Sequence, residues 1–481
     1  MFEIGKARRS ISIVIATVLL LSLFGFKFSG STNFIVTECL FVIYLVFILL
    51  ILGSGLFKFL YEPPVYFLFG AFIYEALKFP YYFGFNTPEY FVSQNFLLNA
   101  KYKVSDYYAA SGIMLVYNMA CIIVLLSSYL ITRRFTNNRN VEFIKFKFKK
   151  ENTLLLVMAF AWAFSFAKLF QLTGGNILFL LSRRSGNADA WEILKSNYVV
   201  SLFANLILVL IPIYLSLRLM ANKTWKWVLL LYVPAAFLSF LITGARGFTI
   251  FSIITSVVLV ITIKKVPIRN LLPVAPLLIV FFAFLGIIRR SSDTTNGGTL
   301  SENIKTQQEQ NSEWYLELSS YQLQLRDEMV FDNLKASNIL FGETYLNILL
   351  FWVPREWIGD LKPQFLDAEV AQRFWGRDDI GLPLTSMGEA YFNFSYAGVL
   401  IFIIFGIVMG KITNYLHNQR KVLYCAVAIV LMVYAQTCTT SQLTYIFQFL
   451  IILFPFLSYI RVKENSKTKI NGINERITRF R

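Results

Sequence analysis

Histidine is almost missing from this sequence: His417 is the single one among 481 residues. It lies between Lys411 and Lys421, a stretch expected on the cytoplasmic side, so histidine catalysis at the outer face is excluded. Cysteine is scarce too, and Cys39, Cys121, Cys425 and Cys438 all fall in long apolar runs. Neither a disulfide framework nor metal-ligand spacing follows from them. Charge is sparse: 15% of residues are Asp, Glu, Lys or Arg, against about 25% in soluble domains. No phosphate-binding loop, dinucleotide fingerprint or HExxH motif occurs, so energy from a bound cytoplasmic nucleotide is unsupported. No internal repeat or low-complexity linker divides the chain.

What is there in abundance is apolar surface, 56% of residues. A hydrocarbon core about 30 Å thick takes about 20 apolar residues per helix. That ruler gives an all-α polytopic membrane protein of about twelve spans, near 11–29, 35–57, 64–84, 109–132, 153–171, 198–219, 227–244, 247–263, 271–288, 394–411, 422–440 and 442–460. The net charge of +17 does not indicate nucleic acid, because the basic residues cluster in short loops on alternate sides of these spans. Lys6, Arg8 and Arg9 precede the first span, and Arg133, Arg134, Arg139, Lys145, Lys147, Lys149 and Lys150 follow the fourth. Others follow the sixth, eighth, tenth and twelfth. The positive-inside rule then puts both termini in the cytoplasm, with the first helix an uncleaved span rather than a signal peptide.

The organisation predicted is a membrane domain over 1–288, an extracytoplasmic insert over 289–392, a second membrane segment over 393–461 and a basic cytoplasmic tail over 462–481. The insert carries nine basic and sixteen acidic side chains. Trp314, Leu318, Tyr321, Leu325 and Met329 recur at helical spacing and predict an amphipathic helix from about Glu313 to Ala336, lying on the outer leaflet or packed on the bundle. Gly342 can terminate the stretch beyond that helix. The apolar run Tyr345 to Val353 is too short to cross a bilayer. It is either interfacial, bringing Pro354, Arg355 and Lys362 to the membrane surface, or the core of the insert.

The outward side collects arginines: Arg183 and Arg184, Arg246, Arg289 and Arg290, Arg326, Arg355, Arg373 and Arg377. A guanidinium fits phosphate bidentately and keeps its charge, although each of these can equally snorkel to headgroups or pair with a carboxylate. Arg246 is the sharpest, because the turn between two spans needs its glycines but not an arginine. Glu389 stands out among the carboxylates, just before the tenth span. Asp327, Asp378 and Asp379 are alternatives, and the adjacent pair Asp378 and Asp379 is too little for a divalent ion. Glu75 and Lys78, three apart on the third span, can pair as a transporter's coupling site or as a structural pair.

Three tracts carry a family resemblance: Thr243-Gly-Ala-Arg-Gly247, the stretch from Pro354-Arg355 to Lys362-Pro363, and Pro383 to Thr385 with Gly388, Glu389, Tyr391 and Gly398. They resemble Wzy-type oligosaccharide repeat-unit polymerases, related to O-antigen ligases and other polyprenyl-dependent GT-C glycosyltransferases. The resemblance implies an enzyme of the bacterial inner membrane that moves a growing glycan from undecaprenyl diphosphate onto an incoming lipid-linked repeat unit. It implies Arg246, Arg355 and one of Arg183 and Arg184 against the leaving diphosphate, with Arg289, Arg290 and Lys362 among its further contacts, and Glu389 as base. One-step displacement by a sugar hydroxyl inverts the anomeric centre. No metal or cofactor is expected, and a chain-length regulator is a possible protein partner. The ligases commonly use an outer-loop histidine, which this chain lacks. A flippase or exporter would also need many spans and arginines, but not a hundred-residue outer insert. A membrane scaffold or glycan-length regulator would need neither Arg246 nor Glu389.

Overall fold

Inside hydrocarbon every backbone N–H and C=O must find a partner within the protein, which long apolar runs achieve by coiling into helices. The computed structural model describes residues 32–57, 62–76, 78, 107–133, 151–176, 198–220, 223–243, 247–264, 326–334, 338–350, 353, 355–358, 361, 363–364, 366–376, 384–419 and 439. Among them there is helix and turn but no strand. The long elements are α1 (Thr32–Gly53), α2 (Pro63–Ala76), α3 (Tyr107–Thr132), α4 (Glu151–Leu172), α5 (Tyr198–Met220), α6 (Tyr232–Thr243, entered through the 3₁₀ turn Lys226–Leu231) and α7 (Gly247–Lys264). The insert contributes α8 (Arg326–Asn333), α9 (Glu343–Leu350), α10 (Arg355–Ile358) and α11 (Leu366–Val370), the last running into a π turn, Ala371–Trp375. Then come α12 (Ser386–Phe394), a 3₁₀ turn (Ser395–Leu400) and α13 (Ile401–Gln419).

Among the described residues five stretches are long and apolar enough to cross a membrane: Ile35–Gly53, Tyr108–Thr132, Asn152–Leu172, Leu202–Leu219 and Ser386–Tyr415. They coincide with the second, fourth, fifth, sixth and tenth expected spans. The third, seventh and eighth appear as the shorter helices α2, α6 and α7. The first, ninth and twelfth, and the eleventh apart from Thr439, lie outside the described residues. His417 sits on α13, which continues through the stretch expected to be loop.

Among the described residues two hydrophobic clusters organise the packing. In one, α5 is held between α4, α6 and α7, and Tyr232 on α6 reaches Ser256 on α7 at 2.6 Å. The other surrounds α3, which packs against α1, α8 and α13. The pair Gly406 and Gly410 lets α13 lie directly on α3: a Cβ on Gly406 would stand 1.9 Å from Ser128 Oγ and 2.4 Å from the Leu125 carbonyl. Small residues four apart are how helices approach closely where lipid gives no hydrophobic drive.

The two ends of this second cluster are chemically distinct. At one, Arg133 at the close of α3 pairs with Glu62 just before α2, 3.0 Å, while Tyr129 donates to the same carboxylate at 2.7 Å and lies 3.4 Å from Thr413 of α13. Arg133 thus leaves the basic loop to which the sequence assigned it and is buried. At the other end, Thr37 of α1 donates to the Tyr108 carbonyl of α3 at 2.6 Å, and Lys78 beyond α2 meets the insert. So α1, α3 and α13 run one way and α2 the other.

Candidate active site at the start of the tenth span

The helix carrying Glu389 begins at Ser386, eight residues before the tenth span expected from the sequence, and so starts within the stretch read as insert. Thr385 is its N-cap: the side-chain oxygen accepts from the Gly388 N–H at 3.0 Å, filling one of the bonds a helix start leaves open. Thr385 in turn donates its own N–H, 3.2 Å, and its hydroxyl, 2.5 Å, to the carboxylate of Asp327 on α8. That carboxylate explains the glycine at 388, where a Cβ would stand 2.5 Å from Asp327 Oδ1.

Glu389 itself is fully buried. Its carboxylate accepts from Thr344 Oγ1 on α9 at 2.7 Å. Asn393, one turn on, donates to Thr344 Oγ1 and to the Glu389 carbonyl, both at 2.9 Å. Tyr391 stacks on Phe331 of α8 with ring centres 3.8 Å apart and meets Tyr117 of α3 edge-on at 5.4 Å. The helix then breaks: Ser395 takes φ +52°, left-handed territory. Gly398 folds back so closely that a Cβ would lie 2.3 Å from the Ala390 carbonyl and 2.6 Å from Tyr117 Oη. Gly388, Glu389, Tyr391 and Gly398, taken as motif residues from the sequence, therefore all lie on one kinked segment where the insert joins the membrane helices.

The acidic side of α8 is built into the interior. Arg326, Asp327 and Glu328 are all buried. Glu328 Oε1 accepts from Lys78 Nζ at 2.7 Å, and Lys78 also pairs with Glu75 at 3.3 Å. Burial pushes the Asp327 carboxyl above its ordinary range, and Glu328 adds to the rise. Lys78 and the two bonds from Thr385 oppose it. Among the described residues no three His, Cys, Asp or Glu side chains are placed to hold a metal ion.

Of the other site residues expected from the sequence, Arg183, Arg184, Arg246, Arg289, Arg290 and Lys362 lie outside the described residues, as do Arg377, Asp378 and Asp379. The backbone of Arg355 opens α10, and its side chain is not among those described. Arg373 is taken up locally, bonded to Glu369, donating to the Asn338 carbonyl at 3.4 Å and lying over the Phe392 ring. The predicted helix over Glu313–Ala336 is seen from Arg326 to Asn333, packed on the bundle rather than flat on the leaflet. The short run from Tyr345 is helical and inverted: Thr344 and Asn347 are buried while Leu346 and Leu349 are exposed. Sequence reasoning missed the link from Lys78 to Glu328, 250 positions apart. Its half-signal was the Glu75–Lys78 spacing.

Between α1, α3 and the 3₁₀ turn runs an apolar groove of about 520 Å³, lined by Val36, Leu40, Ile113, Val116, Tyr117 and Tyr396 among others. Tyr117 thus joins the groove to the Phe331–Tyr391 stack.

No curated protein and no solved structure matches the chain. The family model for O-antigen polysaccharide polymerase Wzy matches residues 11–469. That match takes in the bundle, the insert and the kinked segment together, and the chain belongs to this family of membrane polymerases acting on lipid-linked oligosaccharide.

Proposed function

We propose that the protein lengthens a surface polysaccharide by transferring the growing glycan from undecaprenyl diphosphate onto the terminal sugar of an incoming undecaprenyl-diphosphate-linked repeat unit, at the outer face of a bacterial inner membrane. The observation that carries this reading is the family match over residues 11–469. A hydroxyl oxygen of the incoming repeat unit attacks the anomeric carbon of the chain held on the donor lipid. The bond from that carbon to the diphosphate breaks, the lipid diphosphate leaves with the electron pair, and the configuration inverts. The hydroxyl proton passes to Glu389, a base contribution worth ~10²–10⁴ in rate. Arg246, Arg355 and one of Arg183 and Arg184 take the charge developing on the diphosphate, each well-placed donor worth ~10²–10³. Arg289, Arg290 and Lys362 hold its remaining oxygens.

Glu389 lies in the first turn of α12, at the junction of insert and membrane helices, and the Thr344 hydroxyl holds its carboxylate until a sugar hydroxyl replaces it. The groove beside Tyr117, about 520 Å³ and within the usual ~300–1,000 Å³ of ligand pockets, suits the first units of a prenyl chain. The one feature that favoured an exporter, the Glu75–Lys78 pair, loses that force because Glu328 of the insert closes it, with all three side chains buried.

The test incubates purified protein with undecaprenyl-diphosphate-linked repeat units, chelator present and nucleotide sugars absent, and resolves the glycan on a gel. A ladder is expected. Single repeats only, with movement of the lipid across vesicle membranes, would replace the polymerase by a flippase.

A further inference from the structure

We propose that Lys78, Glu328 and Asp327 are positioning residues that fix the first turn of α12 against the membrane helices and so aim the Glu389 carboxylate; the catalytic half of this inference rests on the reading of Glu389 as the base.

Helix α8 has the sequence Arg-Asp-Glu-Met-Val-Phe-Asp-Asn. Its first three residues are charged, and none is more than 5% exposed. Burying charge is costly unless it is paired, and an apolar helix of equal volume is often as stable or more so. A polar wedge at this place therefore needs another account, and its partners supply one. On one side Glu328 meets Lys78 at 2.7 Å, with both side chains 0% exposed. Lys78 also holds Glu75 at 3.3 Å and lies 4.8 Å from the Tyr74 ring centre. That end of the wedge is anchored to the membrane helix α2.

On the other side Asp327, the next residue, takes both the N–H and the hydroxyl of Thr385. Thr385 closes the first turn of α12 through the Gly388 N–H, and its carbonyl accepts the Glu389 N–H at 2.8 Å. An unbroken path of short contacts thus runs from α2 through α8 to the backbone of Glu389. Phe331 at the far end of α8 stacks on Tyr391, so α8 bears on α12 at two points and sets both its place and its rotation. Gly388 removes the one side chain that would separate Asp327 from the turn. Such support matters because a displacement of about 1 Å in a reacting group can cost ~10² in rate.

The test compares Asp327→Ala, Asp327→Asn and a triple variant Glu75→Gln/Lys78→Met/Glu328→Met, in which the three ion-paired charges are removed together while Asp327 keeps its two bonds from Thr385. Three quantities are read: kcat and KM on lipid-linked repeat units, amide hydrogen exchange over 386–393, and melting temperature in detergent. Asp327→Ala should lower kcat at least ~10-fold with KM within ~3-fold, and speed exchange in the first turn of α12. Asp327→Asn, which keeps an oxygen for the Thr385 N–H, should recover most of both. The triple variant should melt like the wild type and still lose kcat. Unchanged kcat and exchange in a variant that melts like the wild type would overturn the proposal. So would a kcat loss that only follows a fall in melting temperature, with exchange raised evenly along the chain. If the wild-type protein makes no ladder, the polymerase reading fails, and exchange over 386–393 alone decides whether α8 holds α12.

Discussion

Glu389 and Gly388 are neighbours in sequence with different physical duties, and their variants should separate. Gln at 389 keeps an oxygen to accept from Thr344 but cannot take a proton. Glu389→Gln should therefore melt within a few degrees of the wild type and lose ~10²–10⁴ in polymerisation rate, read from initial ladder formation. Gly388→Ala drives a methyl into Asp327, so it should lower stability by about 1–3 kcal/mol and activity with it. A Glu389→Gln protein with wild-type rates would remove this residue from the chemistry. Asp327 also carries a pH signature. Its carboxyl faces Lys78, Glu328 and Thr385, and burial raises its pKa in the folded state. The folded state then holds this proton more tightly than the unfolded chain, whose Asp titrates near ~3.9. The stability it contributes is complete below that value and is lost as pH rises through the folded-state pKa. The difference in melting temperature between Asp327→Asn and wild type should accordingly shift in favour of the variant as pH rises from about 4; a constant difference would contradict it.

At the scale of elements, the sequence revealed most where polarity and exposure agree. The bounds of α1, α3, α4 and α5 follow from apolar runs and fall within a few residues of expectation. It misled where polar residues are buried. Ser386, Glu389 and Asn393 are hidden within α12, so hydropathy placed the start of the span at Phe394 and divided one segment between insert and membrane. The wedge α8 was legible as a helix but not as a plug, because the amphipathic pattern cannot register a face on which Asp327 and Glu328 pair with distant partners. Pairing at such separation leaves no local trace. The inversion of α9 predicts its surroundings: a helix with Thr344 and Asn347 inside and Leu346 and Leu349 outside suits a lipid surface rather than water. An environment-sensitive dye on Leu346→Cys or Leu349→Cys should emit as in lipid after reconstitution, and water-like emission from both would assign the run to some other cover. The α3–α13 contact makes a firmer demand. Gly406→Leu would push side-chain atoms through Ser128 and the Leu125 carbonyl, and a melting temperature equal to the wild type would contradict this packing.

At the scale of the molecule, two buried ionic centres among the described residues lie at opposite ends of one helix, α2. Glu62 precedes its first residue and pairs with Arg133, and Lys78 follows its last and pairs with Glu328. A 14-residue helix rises about 21 Å at 1.5 Å per residue, short of the ~30 Å hydrocarbon thickness, so each centre falls where protein must replace water around its charges. This arrangement ties threading to function. If the positive-inside reading holds, the Arg133 end faces the cytoplasm and the insert faces out, on the side where the proposed transfer takes place. In a variant with Cys39, Cys121, Cys425 and Cys438 replaced, Phe341→Cys, 78% exposed in the insert, should react with a membrane-impermeant thiol reagent on intact spheroplasts. Ser54→Cys, exposed beyond the end of α1, should react only after permeabilisation. The opposite pattern would turn the insert to the cytoplasm and, with Glu389 held against α9, would carry the proposed chemistry to the wrong side of the membrane for a polymerase of exported repeat units.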